Sequence, residues 1–175
     1  MDLTLPEPAA PQTDTATRFL DYLDFYRSVV RAKVTGLPEH ELRASRLPSG
    51  WVPIELVKHL VFMERRWLRW GFRGEQVPDP WGDNGPEGRW TVSPGESVHD
   101  LLDALERGGA ATRSIVQGAG LRDRAAVGGR FATEAEAPTL EWILFHVLQE
   151  YARHAGHLDI ARELIDGATG EDAFG

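Results

Sequence analysis

Between Thr139 and Gly167 the chain places Ile143, Val147, Glu150, His154, Ala161 and Leu164 at intervals of three, four or seven residues. That spacing sets all six on one face of an α-helix, so an otherwise apolar stripe is interrupted by a carboxylate and an imidazole. Pro138-Thr139 opens this helix, its pattern continues to residue 166, and Gly167 is a natural C-terminal stop. Such a stripe has to be buried against other helices, and the rest of the chain supplies three. Phe19, Leu23, Tyr26 and Val30 predict a first helix over 14–35, ended by Leu37-Pro38. A second opens at Ser49 with Pro53 in its first turn and carries the stripe Leu56, Leu60, Met63, Trp67 and Trp70. A third follows the capping-box pattern Ser93-Pro94-Gly95-Glu96 and buries Val98, Leu101, Leu102, Leu105, Ile115 and Val116. Gly108-Gly109 in its middle predicts a kink or a close helix contact.

No segment reads as a convincing strand. Residues 118–137 suit a loop or a short strand pair, and 71–92, rich in Gly, Pro, Asp and Trp, suit an ordered crossover. The fold class is therefore all-α: a four-helix bundle with a long crossover between its second and third helices. Residues 1–12 read as a loose Pro- and Ala-rich arm, 13–167 as the bundle and 168–175 as a tail.

At 175 residues the chain suits one domain with a sizeable core. Its net charge of -8 repels phosphate backbones, so nucleic acid is a poor partner. No apolar run reaches the roughly 20 residues of a membrane span, and the N-terminus lacks a signal-peptide pattern, so no membrane partner is expected and the protein reads as cytoplasmic. Having no cysteine excludes disulfides, thiolate ligands and a cysteine nucleophile, so a metal could be held only by His, Asp or Glu.

Four of the six histidines lie in two helices: His59 in the second, and His146, His154 and His157 in the fourth. Glu150 and His154 are one turn apart, about 6 Å along the axis, close enough to ligate one ion. His59, at the border of its helix's apolar face, could be presented to the same point. A buried carboxylate is costly unless paired, and a divalent cation offsets its charge while coordinating neutral imidazoles. Three protein ligands leave positions open for water or substrate, as catalytic sites do. Zinc, nickel, iron or manganese would suit this set, zinc and nickel foremost. A Glu–His pair four apart also serves as a simple hydrogen-bonded pair. His157, one turn beyond His154, is a further possible ligand or substrate contact. His146 is a reserve ligand or a packing residue, while His40 and His99 stand at helix ends outside the site. Trp51, Trp67, Trp70, Trp81 and Trp90 either wall a pocket beside the metal or simply pack. Arg65, Arg66, Arg69 and Arg73 form either a solvated stripe or a grip for a small anionic ligand.

The segments Trp51-Val52-Pro53-Ile54-Glu55-Leu56-Val57-Lys58-His59-Leu60, Glu64-Arg65-Arg66-Trp67 and His146-Val147-Leu148-Gln149-Glu150-Tyr151-Ala152-Arg153-His154-Ala155-Gly156-His157 resemble the DinB-like superfamily, in the branch near mycothiol-dependent maleylpyruvate isomerases. The resemblance covers about residues 15–167. It implies an up-down-down-up bundle, often a homodimer, with a metal held by His59, Glu150 and His154. Glu150 stands where most of the superfamily has histidine. The resemblance also implies a transferase or isomerase that activates a low-molecular-weight thiol of the mycothiol type towards a small-molecule electrophile. Two other classes fit the same residues: a metal-dependent hydrolase using ion-bound water, and a non-catalytic metal-binding or stress protein.

Overall fold

The computed structural model describes residues 14–169; the N-terminal arm and the tail beyond Thr169 lie outside the described residues. The elements are α1 (Thr15–Val34), a short α2 (Glu39–Leu42), α3 (Pro53–Arg65), which continues as a π-helical segment (Arg66–Phe72), α4 (Val98–Gln117) and α5 (Leu140–Asp166). No strand forms among the described residues. Residues 118–137, suited to a loop or a short strand pair, form a loop with isolated bridges, Val127 to Phe131 and Arg124 to Thr139 just beyond it.

Local chemistry sets most of the helix ends. Asp14 caps α1, its Oδ1 accepting from the N–H groups of Ala16 and Thr17 at 3.0 and 3.1 Å. Thr139 Oγ1 accepts from Trp142 N at the start of α5, and Gly167, at φ 78°, closes it with a left-handed turn. The third long helix starts later than its capping-box pattern predicts. Glu96 Oε2 does accept from Ser93 N, at 2.7 Å, but that carboxylate also binds Lys58 Nζ at 2.9 Å, and the pair closes only a turn. Ser97 is the true cap, accepting from Asp100 N at 3.1 Å. The second long helix likewise begins at Pro53 rather than Ser49, with Glu55 reaching back to Val52 N.

The second helix also changes phase. Leu56, Leu60 and Met63 are buried as the stripe predicts, but beyond them Leu68 and Phe72 are buried and Trp67 and Trp70 are only partly covered. The wider π turn inserts an extra residue, so the inward face passes from Met63 to Leu68 instead of Trp67. Leu164, expected inward on α5, is 52% exposed. It lies past the end of α1, where Arg162 already bonds to Lys33 O, so no helix among the described residues covers it.

Cross-helix pairs define the directions. Phe19 meets Phe145 and Lys33 meets Asp159, so α1 and α5 are parallel. Trp67 meets His146 and His59 meets Glu150, so α3 runs against α5. Arg31 with Glu106 and Asp24 with Arg113 set α4 against α1. The order is therefore up-down-down-up, with α3 and α4 parallel. Parallel neighbours cannot be joined by a tight turn; the connection must return the length of the 20-residue helix, roughly 30 Å. That return is the long crossover, and it passes the site.

The apolar core is interrupted at one level. Glu64 of α3, 2% exposed, accepts from Arg27 of α1, from Thr112 of α4 and from the Tyr151 hydroxyl of α5, the last at 2.6 Å. One carboxylate thus ties four helices together. Gly109 on α4 is a close-contact glycine, not a kink: a Cβ there would meet Arg27 Nε at 2.9 Å.

Candidate metal centre

The antiparallel packing of α3 on α5 brings His59, Glu150 and His154 together. Glu150 Oε2 lies 3.4 Å from His59 Nε2 and 3.2 Å from His154 Nε2, and the donor atoms of all three lie within 4.8 Å of one another. His154 is 5% exposed, and the side chains of His59 and Glu150 are 12% and 19% exposed. Tetrahedral ligands at 2.0–2.2 Å from an ion sit about 3.3–3.6 Å apart, so the two spacings to Glu150, and a set of two imidazoles and one carboxylate, suit a divalent ion.

The other nitrogen of His59 is occupied. Its Nδ1 lies 3.0 Å from Asp83 Oδ2, and Asp83, completely buried, also accepts from both terminal nitrogens of Arg66. Asp83 comes from the crossover, which a small hairpin shapes: Thr91 N donates to Asp83 O at 2.9 Å, and Asn84 bridges to Trp90. The same hairpin lays the Trp90 indole on the His59 ring at 4.2 Å between centroids and 19° between planes. Burial disfavours charge on both His59 and Asp83, but their mutual hydrogen bond, aided by Glu150 on one side and Arg66 on the other, outweighs it. His59 is held above its ordinary pKa and Asp83 below. Glu150 is pulled strongly down by its hydrogen bonds to His154 and His59.

His157 faces away from the shared point. Its Nδ1 lies 3.2 Å from His154 Nδ1, and burial together with the neighbouring His154 lowers its proton affinity. This geometry suits a neutral His157 accepting from His154 Nδ1–H, which orients the His154 Nε2 lone pair towards Glu150. His146 Nε2 stands 3.9 Å from Glu150 Oε1 and packs on Trp67 at 4.5 Å between centroids. Burial lowers its pKa. His40 and His99 are surface residues, with side chains 77% and 83% exposed.

Of the tryptophans, Trp90 covers the centre, Trp51 lies 5.9 Å from His157, and Trp67 borders His146. Trp70 and Trp81 pack edge to face, with the Arg130 guanidinium against Trp67, Trp70 and Trp81. The arginine stripe divides. Arg65 binds the carbonyls of Pro78 and Asp79, Arg66 is buried on Asp83, and Arg69 pairs with Glu75, so these three anchor the crossover; Arg73 is exposed. Neither a solvated face nor an anion grip describes that arrangement. Sequence reasoning missed Asp83, whose one available signal was an acidic residue among the Gly, Pro and Trp of a crossover expected to be ordered.

The family described as Mycothiol-S-transferase matches residues 18–167. The chain belongs to that family. No curated protein matches it. The matched stretch of this mycothiol-S-transferase family member takes in α1 from its fourth residue, the other three long helices and every residue of the candidate centre. No helix among the described residues is long and apolar enough to cross a membrane.

Proposed function

We propose that this protein is a metal-dependent transferase in which a divalent ion, zinc or nickel, held by His59, Glu150 and His154, activates the thiol of mycothiol or a close analogue towards a small-molecule electrophile. The observation that carries this reading is that His59 meets a carboxylate at each ring nitrogen. As a neutral imidazole it has one N–H, which Asp83 takes at Nδ1, leaving the Nε2 lone pair aimed at Glu150. Two acceptors facing each other call for a cation between them. In the metal-free protein a proton answers that need, which is why His59 is held above its ordinary pKa; a divalent ion answers it while leaving the ring neutral.

When bound, the ion lowers the pKa of a coordinated thiol and makes it a nucleophile near neutral pH. The chain's own groups prepare that position. Asp83, kept ionised by Arg66, fixes the His59 tautomer, and His157 does the same for His154. Trp90 closes the face of His59 against water. With no cysteine, the chain offers no thiolate of its own to compete with the incoming one.

Elemental analysis of the purified protein beside His59→Ala and His154→Ala, followed by calorimetry with mycothiol, tests the reading. Near-stoichiometric metal in the wild type, absent from both variants, with thiol binding only to the metal-loaded form, supports it. Metal that binds while thiols neither bind nor react would return the centre to the hydrolase class. A protein that stays metal-free after reconstitution would leave a non-catalytic bundle.

A further inference from the structure

A cavity of about 880 Å³ opens beside the centre, within the 300–1,000 Å³ usual for small-molecule sites. It lies between the π-helical end of α3, the 118–139 connection and the first half of α5. Half of its lining residues carry aromatic rings: Trp67, Phe131, Trp142, Phe145 and His146. His146 is common to both places, lining the cavity and standing 3.9 Å from Glu150 Oε1. The ionised groups along the lining are carboxylates, Glu136 and Glu141, and no guanidinium is among them. The nearby Arg130 is instead stacked on Trp67 and Trp70. Trp142 and Phe145 are large apolar side chains left 71% and 55% exposed, Phe145 being touched edge-on by Phe19 of α1.

We propose that this cavity is the electrophile subsite of the transferase and that it takes an uncharged compound with a planar aromatic ring. Indole, phenyl and imidazole faces bind such a ring by offset or edge-to-face stacking as well as by area burial. The two glutamates turn away anions, which is why an uncharged compound fits better than an aromatic carboxylate. His146 is the wall between the two places, its Nε2 3.9 Å from Glu150 Oε1, so a ring held in this cavity lies one side chain away from where an activated thiol would stand. The proposal rests on the transferase reading for the word electrophile, but the cavity's choice of ligand is testable without it.

The probes are 2-naphthamide and 2-naphthoate, equal in shape and different in charge, titrated by calorimetry into metal-free and zinc-loaded protein. The amide is expected to bind both forms, with the carboxylate at least tenfold weaker. Trp142→Ala, at an exposed position, and Phe145→Leu, which removes the ring but keeps an apolar contact with Phe19, are expected to weaken the amide at least fivefold each while metal content stays unchanged. In cobalt-loaded protein the amide's ring protons are expected to show paramagnetic broadening that is absent with zinc. Failure of the amide to bind, equal binding of the two probes, or no effect of either variant overturns the proposal. So does sedimentation showing a homodimer that Trp142→Ala dissociates while the amide leaves it intact, for the face would then belong to a second copy. Probe binding that behaves as stated in a protein without metal would uphold the cavity's selectivity and refute the transferase reading alone.

Discussion

Replacing Glu64 by leucine removes the one carboxylate that Arg27, Thr112 and Tyr151 share. Arg27 is only 8% exposed, and its remaining acid, Asp24, is partly in water with a side chain 45% exposed. Breaking a buried pair from one side leaves an uncompensated charge and costs about 3–5 kcal/mol. For a chain of this size each kcal/mol lowers the midpoint by about 2–4 °C, so Glu64→Leu should melt about 6–20 °C below the wild type. The double variant Glu64→Leu/Arg27→Met removes both charges and keeps apolar volume, and should recover most of that loss, because well-packed apolar replacements of buried ion pairs are often neutral. Tyr151→Phe keeps the ring and deletes only the hydroxyl that donates to Glu64 at 2.6 Å. Loss of a hydrogen bond to a charged group costs about 1.5–3 kcal/mol, or about 3–12 °C. Thermal and urea unfolding followed by circular dichroism measure all three. A single Glu64→Leu variant as stable as the wild type would refute the reasoning, since the four-helix tie would then carry no uncompensated charge when cut.

Asp83→Asn should lower metal affinity about 10–100-fold without changing helix content, as loss of an outer partner to a ligating histidine does, and a metal-buffered titration showing no change would remove Asp83 from the centre. Metal at a hundredfold excess over its dissociation constant should stabilise the fold by about 2.7 kcal/mol, seen as a rise in melting temperature that a chelator reverses and that His59→Ala lacks. Burial opposes the charge on Glu96, but its bonds to Lys58 and to Ser93 N outweigh this and hold its pKa below the usual 4.5. Because the folded value is the lower one, its contribution is full above about pH 4.5 and fades as pH falls through the lowered value. Glu96→Gln should therefore melt below the wild type at pH 7 and converge with it in acid; a gap that widens on acidification would contradict the assignment.

Much of the bundle is legible in periodicity, because a helix that must bury one stripe declares it every three to four residues. Asp14, Thr139 and Gly167 also mark their helix ends openly, since capping is decided within a few residues. The same local logic misplaces the start of the third long helix. Glu96 completes the Ser93 pattern, yet an ion pair with Lys58, 38 residues away, holds that segment in a turn. It misses the phase change at Arg66 as well, where the stripe expected through Trp67 and Trp70 passes to Leu68 and Phe72. A π turn is a weak local choice that the surroundings impose, and here they include the burial of Arg66 on Asp83.

The amino-acid sequence alone determined the helices, the lack of any thiolate, and the two residues of α5 whose polarity breaks an apolar stripe, for each depends on spacing within one segment. It could suggest His59 as their partner, because a polar residue at the edge of a stripe can be turned towards a neighbouring helix. Which atoms meet was decided only by tertiary structure. Parallel α3 and α4 force a crossover roughly 30 Å long, that crossover carries Asp83 and Trp90 past the site, and together they fix which nitrogen of His59 faces Glu150. Residues 24 and 91 positions from His59 along the chain have no shared period with it, and only packing brings them to the two sides of one ring.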